Sequence, residues 1–337
     1  MNSSCEAMFY ERQGTAVRCG LCSHNCLIGE GKRGLCGVRE NREGRLYSLV
    51  YGNLVAEHVD PIEKKPLFHV LPGSLSYSIA TMGCNFRCLH CQNAGISQVA
   101  PGATDLAGVV RTPASVVEAA FRYGCRSISY TYVEPTVFFE FAYNCSVLAA
   151  QRGLKNIFVS NGYMSRQAAE QLAPVLTAIN IDIKAFTDHF YKKVCGAKLQ
   201  PVLDTVRRLY ELGVWIEITT LIIPDMNDSP TELAAIASFL AAIDRSIPWH
   251  VTAFHPTYRM RDVMPTPRTS LQAARQIGLD QGLLHVYEGN MGKGGEDTLC
   301  GACGLRLIER TGFAIRANRL QHGACPDCGS SVAGVWE

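Results

Sequence analysis

The chain carries 15 cysteines, and eleven of them fall in three tight groups. Cys19, Cys22, Cys26 and Cys36 lie near the start, Cys84, Cys88 and Cys91 in the first third, and Cys300, Cys303, Cys325 and Cys328 near the end. Cys5, Cys125, Cys145 and Cys195 stand alone. An odd count cannot close into a full set of internal disulfides. The start, MNSSCEAMFYERQG, lacks the basic and apolar regions of a signal peptide. No apolar run approaches the roughly 18–20 residues that cross a bilayer. The expectation is a cytoplasmic chain with reduced thiols that bind metals or do chemistry.

The central group reads GCNFRCLHCQN, with Cys84-x3-Cys88-x2-Cys91 spacing on a Gly-containing loop. A cubane 4Fe-4S cluster takes four thiolates. Three close ones leave one iron open to a further ligand. A zinc site would want a fourth ligand in place, and His90 is too near Cys91 in sequence for easy joint chelation.

The tail group forms two Cys-x2-Cys knuckles, each followed by glycine (Gly304, Gly329). That pattern reads as a zinc ribbon or rubredoxin-like site for zinc, with a mononuclear iron as the alternative. A module of this size needs its metal to fold. The head group offers four ligands for either a structural zinc, the preferred reading, or an auxiliary iron–sulfur cluster. His24 could replace one cysteine there. Cys195, in KKVCGAK, is either a small buried hydrophobe or a thiol facing a substrate.

These residues need elements to hold them. The 337 residues are 47 % apolar and 18 % charged, with a net charge of +2. This is globular composition, and its near-neutral balance argues against bulk nucleic acid or an anionic membrane surface as the main partner. Between head and tail, strand and helix signals alternate. Strands are expected over 76–82, 127–132, 156–160, 178–183, 215–223, 249–254 and 284–288. Helices are expected over 113–123, 137–152, 165–173, 203–212, 230–244 and 270–281. Such alternation implies βαβ units and a parallel sheet, here a complete or partial α/β barrel. Cys84, Glu134, Asn161, Lys184 and His255 fall where strands end, which is the active face of parallel α/β folds.

CNFRCLHC resembles the cluster loop of the radical S-adenosylmethionine (SAM) superfamily, and the similarity extends through the strand–helix repeats. It is nearest to the branch of pyruvate formate-lyase activating enzymes. DPIEKKPLFH (60–69), the cysteine loop and YTYVEPT (130–136) are similar to the radical SAM component of the AmmeMemoRadiSam system. The resemblance implies a partial (β/α)6 TIM-like barrel over 71–290. A Cys-rich extension (1–70) would precede it and a zinc-ribbon-like module (291–337) would follow. Cys84, Cys88 and Cys91 would hold a 4Fe-4S cluster whose open iron binds SAM. Glu134 matches the acid that contacts the SAM amino group, although Tyr132 and Val133 replace two family glycines. Asp182 and Lys184 match an Asp-x-Lys element near the SAM carboxylate and ribose. Asn161 and His255 match further cofactor-side residues.

The implied reaction is one-electron reduction of the cluster, cleavage of SAM to a 5′-deoxyadenosyl radical, and hydrogen abstraction from a protein or peptide. The alternatives are a small-molecule or RNA substrate, or a non-enzymatic electron-transfer or scaffold protein. A flavodoxin or ferredoxin is the expected donor, and Memo-like or AMMECR-like proteins are possible partners by family association.

Overall fold

The structure is a computed structural model describing residues 4–100, 102–103, 106–292 and 294–337. Its centre is an eight-stranded sheet. The strands are β1 (Ala56–Pro61), β2 (Leu75–Ala80), β3 (Ser127–Tyr130), β4 (Lys155–Ser160), β5 (Ala178–Asp182), β6 (Trp215–Ile222), β7 (Trp249–Ala253) and β8 (Val286–Gly289). They lie side by side in chain order. β2 through β8 are parallel, and β1 pairs antiparallel with β2. β1 and β8 are not paired, so the sheet is open.

Helices follow the parallel strands: α1 (Pro113–Arg122), α2 (Phe139–Gln151), α3 (Arg166–Leu172), α4 (Gln200–Glu211), α5 (Pro230–Ile243) and α6 (Arg268–Asp280). Their starts are chemically marked. Thr112 and Ser115 form a reciprocal capping box before α1, with Pro113 at its first position. Ser165 caps α3 and Ser229 caps α5. The expected strands and helices are present with end shifts of a few residues, and α2 is preceded by a 3-10 turn, Pro135–Phe138. β1 lacked a sequence signal because AEHVDP is polar and half exposed, as an edge strand tolerates.

The segment after β1 enters the interior of the sheet as a strap. Asn180 Nδ2 on β5 donates to the Pro66 carbonyl at 2.8 Å. Glu217 on β6 accepts from the Phe68 and His69 amides at 2.9 and 2.8 Å. His69 Nε2 lies 2.6 Å from the Tyr287 hydroxyl on β8. Ile62, Leu67, Val70 and Leu71 pack with Ile157 and Ala178. DPIEKKPLFH is therefore an internal brace across the open sheet.

The tail is a three-stranded antiparallel sheet, β9 (Thr298–Leu299), β10 (Arg306–Thr311) and β11 (Ala314–Asn318), with its own small core around Leu307 and Ile308. It returns to the strap: Val335 N donates to His69 O at 2.7 Å and Leu71 N to Val335 O at 2.8 Å. The head folds as short antiparallel sheets. It is anchored on α2 by the buried Arg39 guanidinium, which spans both oxygens of Glu140 at 3.1 and 2.7 Å. Breaking such a pair strands a buried charge and costs about 3–5 kcal/mol. Among the described residues no helix is long and apolar enough to cross a membrane.

Candidate active site and metal centres

The GCNFRCLHCQN loop leaves the sheet just after β2. The Phe86 amide donates to Cys84 Sγ at 3.4 Å, Cys91 Sγ lies 3.2 Å from the Ser97 hydroxyl, and Cys88 is buried. The loop is braced by the turn after β5, where Arg87 N and Leu89 N donate to the Cys195 and Val194 carbonyls at 2.8 and 3.0 Å. Gly196, left-handed at φ 71°, lets that turn approach Arg87.

Cys84, Cys88 and Cys91 line a cleft with Glu134, Asn161, Asp182 and Lys184, so seven of the eight expected residues share one site. The cleft holds about 560 Å³ and opens to solvent. His255 stands apart from this lining. It is exposed beyond β7, 3.3 Å from the carbonyl of Asn290, which does line the cleft.

Glu134 is buried and heavily solvated by protein. Oε1 accepts from the Thr136 amide, the Thr136 hydroxyl and the Ser160 hydroxyl at 3.1, 2.5 and 2.8 Å. Among the described residues Oε2 accepts only from the Asn161 amide, at 2.7 Å, and so keeps a lone pair. Burial raises its pKa, and these donors work against that rise. Lys184 Nζ lies 2.9 Å from Asp182 Oδ2. Burial works to lower the Lys184 pKa, but Asp182 and the Cys88 and Cys195 thiols outweigh it, so the ammonium stays charged.

Residues that the sequence did not single out complete the cleft, Lys65, Thr219, Thr252 and Asn290 among them, together with Tyr132. Thr219 and Thr252 follow the two-residue alternation that points Asp182 inward, which was the available signal. Tyr132 sits at φ 64°, a left-handed backbone that suits glycine. It occupies a position where the resembled family has glycine, so the departure changes the side chain and keeps a glycine-like backbone. Its hydroxyl donates to Asp60, and Lys65 Nζ lies over its ring at 4.7 Å. Burial pulls the Lys65 ammonium down to about 8 despite its 2.6 Å contact with Asp60.

Cys195 is fully buried outside the cleft lining and close to Cys88, whose pKa it raises.

The tail thiols form a different geometry. Cys300 and Cys328 Sγ are 3.6 Å apart, Cys303 and Cys325 Sγ 3.7 Å, and all four lie within 4.8 Å of one another. A tetrahedral ion with ~2.3 Å metal–sulfur bonds sets sulfurs about 3.8 Å apart. The spacing thus fits one ion. Both knuckles share a backbone pattern: Cys300 N donates to Leu305 O and Cys325 N to Ser330 O, while Gly304 and Gly329 turn at φ 76° and 72°. The donor set, four thiols, suits zinc or iron.

The profile of the radical SAM superfamily matches residues 78–237, which span β2 to α5. Those residues form a radical SAM domain, the mark of a superfamily of enzymes. It is 46 % identical to an uncharacterised protein of Methanocaldococcus jannaschii over 332 residues, covering 97 % of this chain and 98 % of that one. A second protein of that organism, provisionally named as a glycyl-radical enzyme activating enzyme, is 26 % identical over 52 % of this chain and 66 % of its own. In fold it is similar to Streptococcus suis SuiB, solved with S-adenosylmethionine (TM-score 0.51, 12 % identity, 67 % of this chain and 52 % of SuiB). The domain implies a 4Fe-4S cluster and SAM as cofactors, and the three-thiol cleft fits them.

Proposed function

We propose that this chain cleaves SAM reductively at a cluster held by Cys84, Cys88 and Cys91, and abstracts hydrogen from a protein or peptide in the manner of an activating enzyme. The observation that carries the reading is one cleft lined by three loop thiols, a buried carboxylate and a charged lysine. When bound, the cluster and SAM supply the one-electron chemistry.

The chain's own groups bind and orient. Glu134 Oε2 offers its open lone pair to an ammonium. Lys184, aimed by Asp182, presents a point charge to a carboxylate. Asn161 fixes Glu134 through its amide. His255, at the rim, is assigned to the outer edge of the cofactor by its motif match. The relative named for glycyl-radical activation supports a protein substrate, and SuiB, solved with its precursor peptide, is an instance of this fold with a peptide bound. A flavodoxin or ferredoxin is the donor this reading calls for, zinc the tail metal, and the cytoplasm the compartment. The finer kinship remains the AmmeMemoRadiSam component, with Memo-like or AMMECR-like partners.

Anaerobic reconstitution followed by reduction with SAM tests the reading. Release of 5′-deoxyadenosine, abolished in Cys84→Ala, supports it, and full release from Cys84→Ala overturns it. Deuterium passing from labelled candidate peptides into 5′-deoxyadenosine identifies the substrate class.

A further inference from the structure

The head cysteines form a third thiol site, and its shape differs from that of the tail. Cys19, Cys22, Cys26 and Cys36 line one small hollow, otherwise walled by Leu21, Ile28 and Val137 among others. Cys19 and Cys36 are buried, Cys22 and Cys26 partly so. Among the described residues the tail quartet is the group whose ligand atoms all lie within 4.8 Å. No three of the head thiols meet that limit, and neither do Cys84, Cys88 and Cys91. In this the head differs from the tail quartet and is like the loop thiols. A single tetrahedral ion would draw four sulfurs to about 3.8 Å.

Burial raises the Cys22, Cys26 and Cys36 thiols, and the His24, Leu35 and Val38 amides work against that rise. Two of these amides stand two residues after their cysteine, as Phe86 does after Cys84. Arg39, 1 % exposed, lines the hollow, and its Nε finds no partner there. A buried N–H left unpaired is costly, and a sulfur acceptor in the hollow would satisfy it. His24 is occupied through Nε2, 2.7 Å from the Asn85 carbonyl.

We infer that Cys19, Cys22, Cys26 and Cys36 bind a second, four-cysteine iron–sulfur cluster rather than a zinc ion. This site lies directly behind the loop of the first cluster. Asn85 lines the hollow while its neighbour Cys84 lines the cleft. Gly83 packs so closely on the head that a Cβ there would meet Val38 Cγ1 at 2.7 Å and the Cys36 carbonyl oxygen at 3.0 Å.

The inference goes beyond the proposed function and is tested apart from it. The variant Cys84→Ala/Cys88→Ala/Cys91→Ala removes the thiols of the first cluster. After anaerobic reconstitution with ferrous iron and sulfide, iron, acid-labile sulfide and zinc are measured per chain, with Mössbauer spectra. The expected result is about four irons and about four sulfides retained, all lost when Cys22→Ser and Cys26→Ser are added. Two zinc ions per chain and no sulfide would overturn it. The unmutated protein gives an independent reading: sulfide near eight per chain supports the inference, and near four overturns it. SAM cleavage by the unmutated protein reports on the proposed function and is unaffected by either count.

Discussion

Asn161 donates its side-chain Nδ2–H to Asn85 Oδ1 at 2.7 Å, joining the end of β4 to the residue that follows Cys84. Its own amide holds Glu134, and its Oδ1 takes the Tyr163 amide at 3.1 Å. One residue therefore links the cysteine loop, through its side chain, to the cleft carboxylate, through its backbone amide. Asn161→Ala leaves Asn85 Oδ1 buried without this donor, at a cost of about 1–3 kcal/mol. The expected outcome is a folded protein with its iron retained and SAM affinity reduced at least tenfold, read by equilibrium dialysis.

Cys195 acts on the Cys88 thiol, raising its pKa, and lies outside the cleft lining. Hydrogen bonds to cluster sulfurs tune reduction potential. Cys195→Ala should shift the midpoint potential and EPR signal of the first cluster while leaving the KM for SAM within about threefold. A loss of deuterium transfer with an unmoved potential would instead place the thiol on the substrate path.

Acid should loosen the strap. Burial pushes His69 down to about 4 and His285 to about 3, both from an ordinary 6.5, and their rings lie 4.5 Å apart. Between pH 6.5 and about 4 the folded chain binds fewer protons at these sites than the unfolded chain. Their contribution to stability therefore rises with pH across that window and is lost on acidification. For His69 the full shift corresponds to roughly 3 kcal/mol. Urea unfolding at pH 7.5 and 5.5 reads the effect, and His69→Gln should flatten the pH dependence.

Removing the tail metal should be felt in the fold. Cys303→Ser breaks an exposed corner of the tetrahedron while leaving Cys300 and Cys325 buried. The expected outcome is loss of one mononuclear metal per chain and a lower thermal midpoint, since metal affinity is folding energy in so small a module. Metal analysis and calorimetry on the whole chain check it.

The parallel strands were legible because β4, β5 and β6 are apolar, β-branched runs buried on both faces. The cysteine groups were legible from spacing alone. β1 was not, because an edge strand needs little apolar character. Lys65 was hidden for another reason: its place in the cleft depends on the strap folding inward, a contact between distant parts of the chain. Whether thiols spaced as in the head gather round one ion or a larger group is set by three-dimensional distances, which sequence spacing does not contain.

His69 Nδ1 meets the carbonyl of Ala333 at 2.8 Å across a separation of 264 residues. The same strap places Lys65 and Pro66 in the cleft wall. Contacts so remote in sequence carry a large loop-closure cost and form late, and during synthesis residue 333 emerges after every strand of the central sheet. The cleft wall thus receives its final brace only once the tail has been made. Order of assembly is written into the molecule as a timer: the chamber is finished last.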